Sequence, residues 1–157
     1  MVAARATTTT GARNWLVIPN LSLTSGPGSG LRSLRSLVVH SPCTLLVVIS
    51  TECGFCKRMR VTWPTEFPHR AQSVGAPVRT AWIAPDSWDE ITEFFRGWPL
   101  DFVEALRFEH PDLAWKALGV FGTPTSYLVD QNGRVRFGTI GLSFPPDTVG
   151  RRVCSGP

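Results

Sequence analysis

The 157-residue sequence predicts an α/β fold in which a central mixed β-sheet is flanked by helices. Three observations carry that expectation. Residues 43–50, CTLLVVIS, form a β-branched run that is apolar on both faces, as a buried central strand should be. A basic, helix-like segment follows it directly, and a second strand and helix pair comes next, VRTAWIAP and then SWDEITEFFRGW. Close to the end, TSYLVDQNGRVRFGTIG reads as two strands joined around Asn132-Gly133, a pair favoured in hairpin turns.

In chain order, residues 1–13 are rich in Thr, Ala and Arg without periodicity and are expected to be a flexible tail carrying no site. One domain is expected over residues 14–150, followed by a C-terminal tail at 151–157. WLVIPNLSL looks extended and stops at TSGPGSG, a Gly/Pro/Ser turn signal. Leu31, Leu34, Leu37 and Val38 recur at helical spacing. In the segment after CTLLVVIS, Pro64 and Pro68 predict a kink or an early end to the helix. Ser87 is an acceptable N-cap for the next helix, which has acidic residues in its first turn and a Gly stop. DFVEALRFEHPDLAWKALGV reads as helical segments broken at Pro111. No internal repeat is visible.

At 43% hydrophobic and 18% charged residues, the composition is that of a globular chain and too apolar for a disordered one. The formal charge of +4 is mild and its basic residues are scattered, which argues against a nucleic-acid partner. The longest apolar run, Leu45 to Ile49, is far below the roughly 20 residues that a membrane-spanning helix needs. The start, MVAARATTTTGARNW, has basic character but no apolar signal core. Two expectations therefore stand for location: a protein that stays inside the cell, or one whose export segment is missing from this start.

Of the four cysteines, only Cys53 and Cys56 are spaced for local chemistry, in Thr-Glu-Cys-Gly-Phe-Cys-Lys. A redox dithiol, half of a metal site, or two buried small residues would each explain the pair. A redox pair needs one exposed sulfur whose thiolate is stabilised. If the strand ends near Ser50 and the helix begins near Cys53, that cysteine meets free N–H groups and the positive end of a helix dipole. Lys57, Arg58 and Arg60 add positive charge, and Cys56 lies one turn on, shielded and close enough to act second. Gly54 is expected to let the turn approach tightly. Phe55 offers an apolar surface suited to a protein or peptide partner. The strand before the pair and the helix after it favour redox chemistry.

His40-x-x-Cys43 with Cys53-x-x-Cys56 supplies four ligands for zinc on paper. A straight strand between the two pairs would hold them roughly 25–30 Å apart at about 3.3 Å per residue, which disfavours a metal site. His69 and His110 lack partners at ligand spacing and are expected at the surface. Cys43, opening an apolar strand, and Cys154, in a Gly/Pro-rich tail, are expected to be free and dispensable.

CTLLVVISTECGFCKRM together with LGVFGTPTSYLVDQNGRV resembles the thioredoxin superfamily, and IPNLSLTSGPGSGLRSLRSL resembles the N-terminal extension of its TlpA/ResA-like branch. The resemblance spans roughly residues 15–145. It implies a thiol-disulfide oxidoreductase with Cys53 attacking, Cys56 resolving, and no cofactor beyond the redox-active Cys53–Cys56 disulfide. It further implies protein dithiol or disulfide partners, an upstream electron donor, a monomer, and a Thr123-Pro124 cis-proline loop that faces the dithiol and pairs with an extended substrate. The branch leans toward a reductase. The rival reading is a non-catalytic binding module of the same fold with a structural disulfide.

Three departures accompany the resemblance. Glu52 stands where the family has an uncharged residue, and a neighbouring carboxylate opposes thiolate formation. The buried acid of thioredoxins corresponds to Val47 and the branch glutamate to Met59, so the proton acceptor for Cys56 is unassigned. FPPDTVGRRVCSGP is short for a closing helix. The peroxiredoxin pattern fails, with Leu46 and Ser50 at its Pro and Thr positions.

Overall fold

The computed structural model describes residues 17–74, 78–98, 103–141 and Cys154, with the side chains of residues 66–74 outside that description. Among the described residues, β1 (Ser22–Thr24), β2 (Leu31–Ser33), β3 (Cys43–Val48), β4 (Val78–Ala84), β5 (Glu104–Phe108), β6 (Thr125–Asp130) and β7 (Val135–Ile140) form one sheet. Its order is β2-β1-β5-β4-β3-β6-β7. Strands β3, β4 and β5 run parallel, while β6 and β7 on one side and β1 and β2 on the other add antiparallel edges. Among the described residues, four helices are delimited: α1 (Leu34–Val38), α2 (Gly54–Val74), α3 (Trp88–Phe94) and α4 (Pro111–Leu118).

Every residue of β3 is buried because the strand carries two apolar faces. Leu46 and Val48 join a cluster with Leu34, Leu37 and Val38 of α1 and with Ala114 and Leu118 of α4. Cys43, Leu45 and Val47 point the other way, toward Cys56, Met59 and Trp63 of α2 and Ile91 and Phe94 of α3. The period-two alternation of a strand thus sends successive residues into opposite cores. Trp82 of β4 sits at the centre of the second core, its ring within 4.9–6.3 Å of Trp63, Phe94, Phe95 and Trp98.

Local chemistry explains most helix ends. Ser33 caps α1 by accepting the N–H of Ser36 at 3.0 Å. Ser87 and Glu90 form the full reciprocal capping box of α3, in line with the expected N-cap. Pro111 opens α4, where a missing N–H costs nothing, and Gly119 stops it at φ 65°.

Four expectations are corrected. Pro64 does not end α2, which runs on to Val74. Pro64 lacks the N–H that the carbonyl of Arg60 would otherwise receive, and the indole N–H of Trp98 fills the gap at 2.7 Å. Residues 104–108 are strand rather than helix: Leu106 and Phe108 alternate into the core, while Glu104 pairs with Arg32 of β2 and with Arg79 of β4 at 2.7 Å. Placement between β1 and β4 overrides the helical propensity of Glu-Ala-Leu-Arg. Leu31, expected in a helical turn with Leu34, belongs to β2.

The fourth correction concerns the outer cysteines. Cys43 and Cys154 are disulfide-bonded, with Cα atoms 4.9 Å apart, and are 0% and 1% exposed. The inward face of β3 places Cys43 in the second core, and Cys154 meets it there. Bonded in this way, Cys43 presents no thiolate to a metal. The remaining residues of 142–157 lie outside the described residues, as does the expectation for a closing helix there.

Candidate active site: a dithiol at a helix start

The chain leaves β3 at Val48, and a tight turn, Ser50 to Cys53, leads into α2. The backbone N–H groups of Thr51, Glu52 and Cys53 each have a partner. Cys53 N–H donates to the Ser50 carbonyl at 3.1 Å, and Glu52 N–H to the Ser50 hydroxyl at 3.3 Å. Thr51 N–H donates to the carboxylate of Asp86 at 2.9 Å. Asp86 lies just past β4, where Arg107 of β5 donates its Nε–H to the Asp86 carbonyl at 2.6 Å.

Cys53 occupies the N-cap position. Its carbonyl accepts the N–H of Lys57 at 3.0 Å, the first bond of the helix, and its Sγ accepts the N–H of Cys56 at 3.1 Å. Sulfur here takes the place of the Ser or Asp oxygen that ordinarily satisfies a helix start. Both thiols are free; Cys53 is half-buried and Cys56 is 0% exposed.

The two sulfurs are tuned in opposite directions. Burial raises the Cys53 thiol, but hydrogen bonds from Cys56, from the Thr123 side chain and from the backbone of Cys56 and Phe55 outweigh it, and its pKa falls below the ordinary 9.0. Burial pushes Cys56 up to about 12, reinforced by its hydrogen bond with Cys53 and by the Cys53 charge. Of the two thiols, Cys53 is the more readily ionised and Cys56 the less.

Across from the dithiol, the Thr123–Pro124 peptide bond is cis. The Cys53 thiol donates to the Thr123 carbonyl at 3.2 Å, a bond that favours the protonated form and disappears on ionisation. The Pro124 carbonyl accepts Gly141 N–H at 2.8 Å, which ties this loop to the end of β7. Phe55 is 53% exposed beneath the Arg58 guanidinium, 4.4 Å from its ring centre, and Phe121 is 76% exposed beside the proline loop. Glu52 and Lys57 are exposed on the rim of a groove that also includes Thr51, Arg60 and Asp89.

Gly54 differs from expectation. Among the described residues, a Cβ built there meets nothing within 4 Å, so the turn has no steric need for glycine. Val47 and Met59 lie in the core that holds Cys56, and both are apolar. His40 is exposed and the His110 side chain is 67% exposed, whereas the side chain of His69 lies outside the described residues. Nothing in the sequence marks Asp86, which matters only because the fold brings it to the backbone of Thr51.

The sheet order, the helices on both faces and the dithiol at the start of α2 define a thioredoxin-like α/β protein. No protein-family model matches the chain, and no curated protein matches it. Among solved structures it is similar to an uncharacterized thioredoxin-like protein from Porphyromonas gingivalis, at 17% identity over 88% of this chain and 92% of that one, TM-score 0.67. It is also similar to DsbF of MTB, solved in mixed oxidized and reduced forms (18% identity, 89% of this chain and 96% of that one, TM-score 0.59). A third is the thioredoxin domain of a thiol-disulfide oxidoreductase from Bacteroides vulgatus (16% identity, 87% and 95%, TM-score 0.58). At these identities the likeness establishes the fold. No helix among the described residues is long and apolar enough to cross a membrane.

Proposed function

We propose that the protein is a thiol-disulfide oxidoreductase that exchanges two electrons with cysteine pairs of partner proteins, working as a reductase supplied by an upstream electron donor. The observation that carries this reading is the asymmetry of the pair: Cys53, accessible and acidified at the helix start, above Cys56, buried and pushed up to about 12. In the forward step the Cys53 thiolate attacks one sulfur of a substrate disulfide, forms a mixed disulfide and expels the other substrate sulfur as a thiolate. Cys56, having given up its proton, then attacks Cys53 Sγ, closes the Cys53–Cys56 disulfide and releases the second substrate thiol.

With Val47 and Met59 in place of carboxylates, no acid of the core is assigned to take the Cys56 proton. The mixed disulfide itself lowers the barrier, because it cancels the Cys53 charge that helps to hold the Cys56 proton. The expelled substrate thiolate is a proton acceptor of matching basicity. The cis-proline loop supports the same reading, since its Thr123 carbonyl lies beside Cys53 where an extended substrate backbone would run. The buried Cys43–Cys154 bridge favours an oxidising compartment, in which such bonds persist.

Insulin reduction with dithiothreitol tests the activity: catalysis above the reductant's own rate is expected, and its absence would favour the binding module. Cys56→Ser should accumulate dithiothreitol-reversible protein adducts and Cys53→Ser few. Equal trapping by both would overturn the assigned order.

A further inference from the structure

We propose that Asp86 is a positioning residue for Cys53: by accepting the N–H of Thr51, it holds the Ser50–Cys53 turn so that Cys53 Sγ meets the N–H of Cys56. The geometry runs through three contacts. Asp86 Oδ2 lies 2.9 Å from Thr51 N. The turn then closes on itself through Cys53 N and Ser50 O at 3.1 Å, and the sulfur receives Cys56 N at 3.1 Å. Thr51 is only 6% exposed, so water does not readily replace the carboxylate, and losing the acceptor leaves a buried donor that the turn must move to satisfy.

Asp86 is itself anchored. The Nε–H of Arg107 holds its carbonyl at 2.6 Å, and the capping box that starts at Ser87 fixes the chain immediately after it. The contact therefore links the end of β4 to the start of α2, two elements joined here by one side chain and one backbone N–H. Asp86 touches neither sulfur and acts only through Thr51.

The test is the pH dependence of Cys53 alkylation by iodoacetamide in the reduced full-length protein, with modification at Cys53 counted by mass spectrometry. Its midpoint reports the thiolate and does not depend on the chain having any partner, so it stands apart from the failure of the proposed activity. In Asp86→Ala the turn loosens, the Cys56 N–H is lost to the sulfur, and the midpoint should rise. Below the native midpoint the alkylation rate should fall about three- to tenfold, a shift of half to one pKa unit. Asp86→Asn keeps an acceptor for Thr51 and should stay within about twofold of native.

The pair of variants separates position from charge. A carboxylate acting through its charge alone would make both variants faster, because removing a negative charge favours a neighbouring thiolate. A turn that merely becomes more open would change the plateau rate at high pH without moving the midpoint. Unmoved midpoints, faster reaction in both variants, or equal slowing in both would each overturn the proposal. Should Asp86→Ala fail to fold, Asp86→Ser, whose hydroxyl is too short to reach Thr51, carries the same expectation.

Discussion

Replacing both Cys43 and Cys154 by alanine removes a crosslink that closes a loop spanning 111 residues of sequence. In the chain-entropy account, a loop of that length restricts the unfolded ensemble by about 5 kcal/mol. The two sulfurs also fill core space at 0% and 1% exposure, so their loss adds a cavity cost rather than relieving strain. For a domain of this size each kcal/mol moves the melting temperature by about 2–4 °C, so the double variant should melt about 10–20 °C lower. Circular dichroism melts without reductant, with the Cys53–Cys56 pair in the same state in both proteins, make the comparison. Mass mapping of the native protein should recover the peptide pair joined through Cys43 and Cys154. A melting point within about 2 °C of native, or a mapped bridge from either residue to Cys53 or Cys56, would refute the reasoning.

Three further outcomes follow from the contacts. Glu104→Gln should destabilise by about 1 kcal/mol at pH 7, measured from urea midpoints, because it weakens the bonds from Arg32 and Arg79. Burial raises the Glu104 carboxyl but the two arginines hold it below its ordinary 4.5, so this contribution is present above 4.5 and lost as pH falls through the lowered folded value. An equal difference between the two proteins in acid would contradict that sign. Gly54→Ala should raise stability by about 0.5–1 kcal/mol, since the new methyl group meets open space at a helical position, and a lower melting point would show that the turn does need glycine. Glu52→Gln should move the Cys53 thiolate midpoint downward by less than about half a unit, because the carboxylate is exposed and screened. A midpoint that rises or stays put in thiolate absorbance would show that Glu52 points away from the sulfur.

What could be read from the sequence was decided locally. CTLLVVIS announces a strand buried on both faces, Ser87 reads as the N-cap of α3, and Asn132-Gly133 marks its hairpin. The Cys53–Cys56 pair is legible for the same reason, since its strand and helix are its immediate neighbours. What was misread was decided by residues distant in sequence. Glu104–Phe108 is a strand because a slot between β1 and β4 accepts it, and α2 continues past Pro64 because Trp98 supplies the missing donor. Cys154 offers no local sign that it meets the first residue of the central strand. Asp86 belongs to this second group, an ordinary loop carboxylate until the parallel pairing of β3 with β4 brings the two strand ends together.

The four cysteines divide into a buried bridge and a free pair, set toward opposite ends of β3. Cys43 opens β3 and the Cys53 turn follows its other end, so the six residues of the strand put about 16–17 Å of extended backbone between the two regions. Thiol-disulfide exchange requires a thiolate to contact the disulfide sulfur it attacks. The Cys43–Cys154 bridge is buried beneath α2 and α3, out of reach of the Cys53 thiolate and closed to an external thiol while the fold is intact. On the proposed function, the Cys53–Cys56 pair can therefore cycle between dithiol and disulfide without unfastening the Cys43–Cys154 bond. Proximity would remove that protection, since under the proposed function a Cys53 thiolate adjacent to a structural bridge would attack it as it would a substrate disulfide. The strand thus supplies both the buried framework that presents the dithiol and the distance that keeps the dithiol from dismantling it.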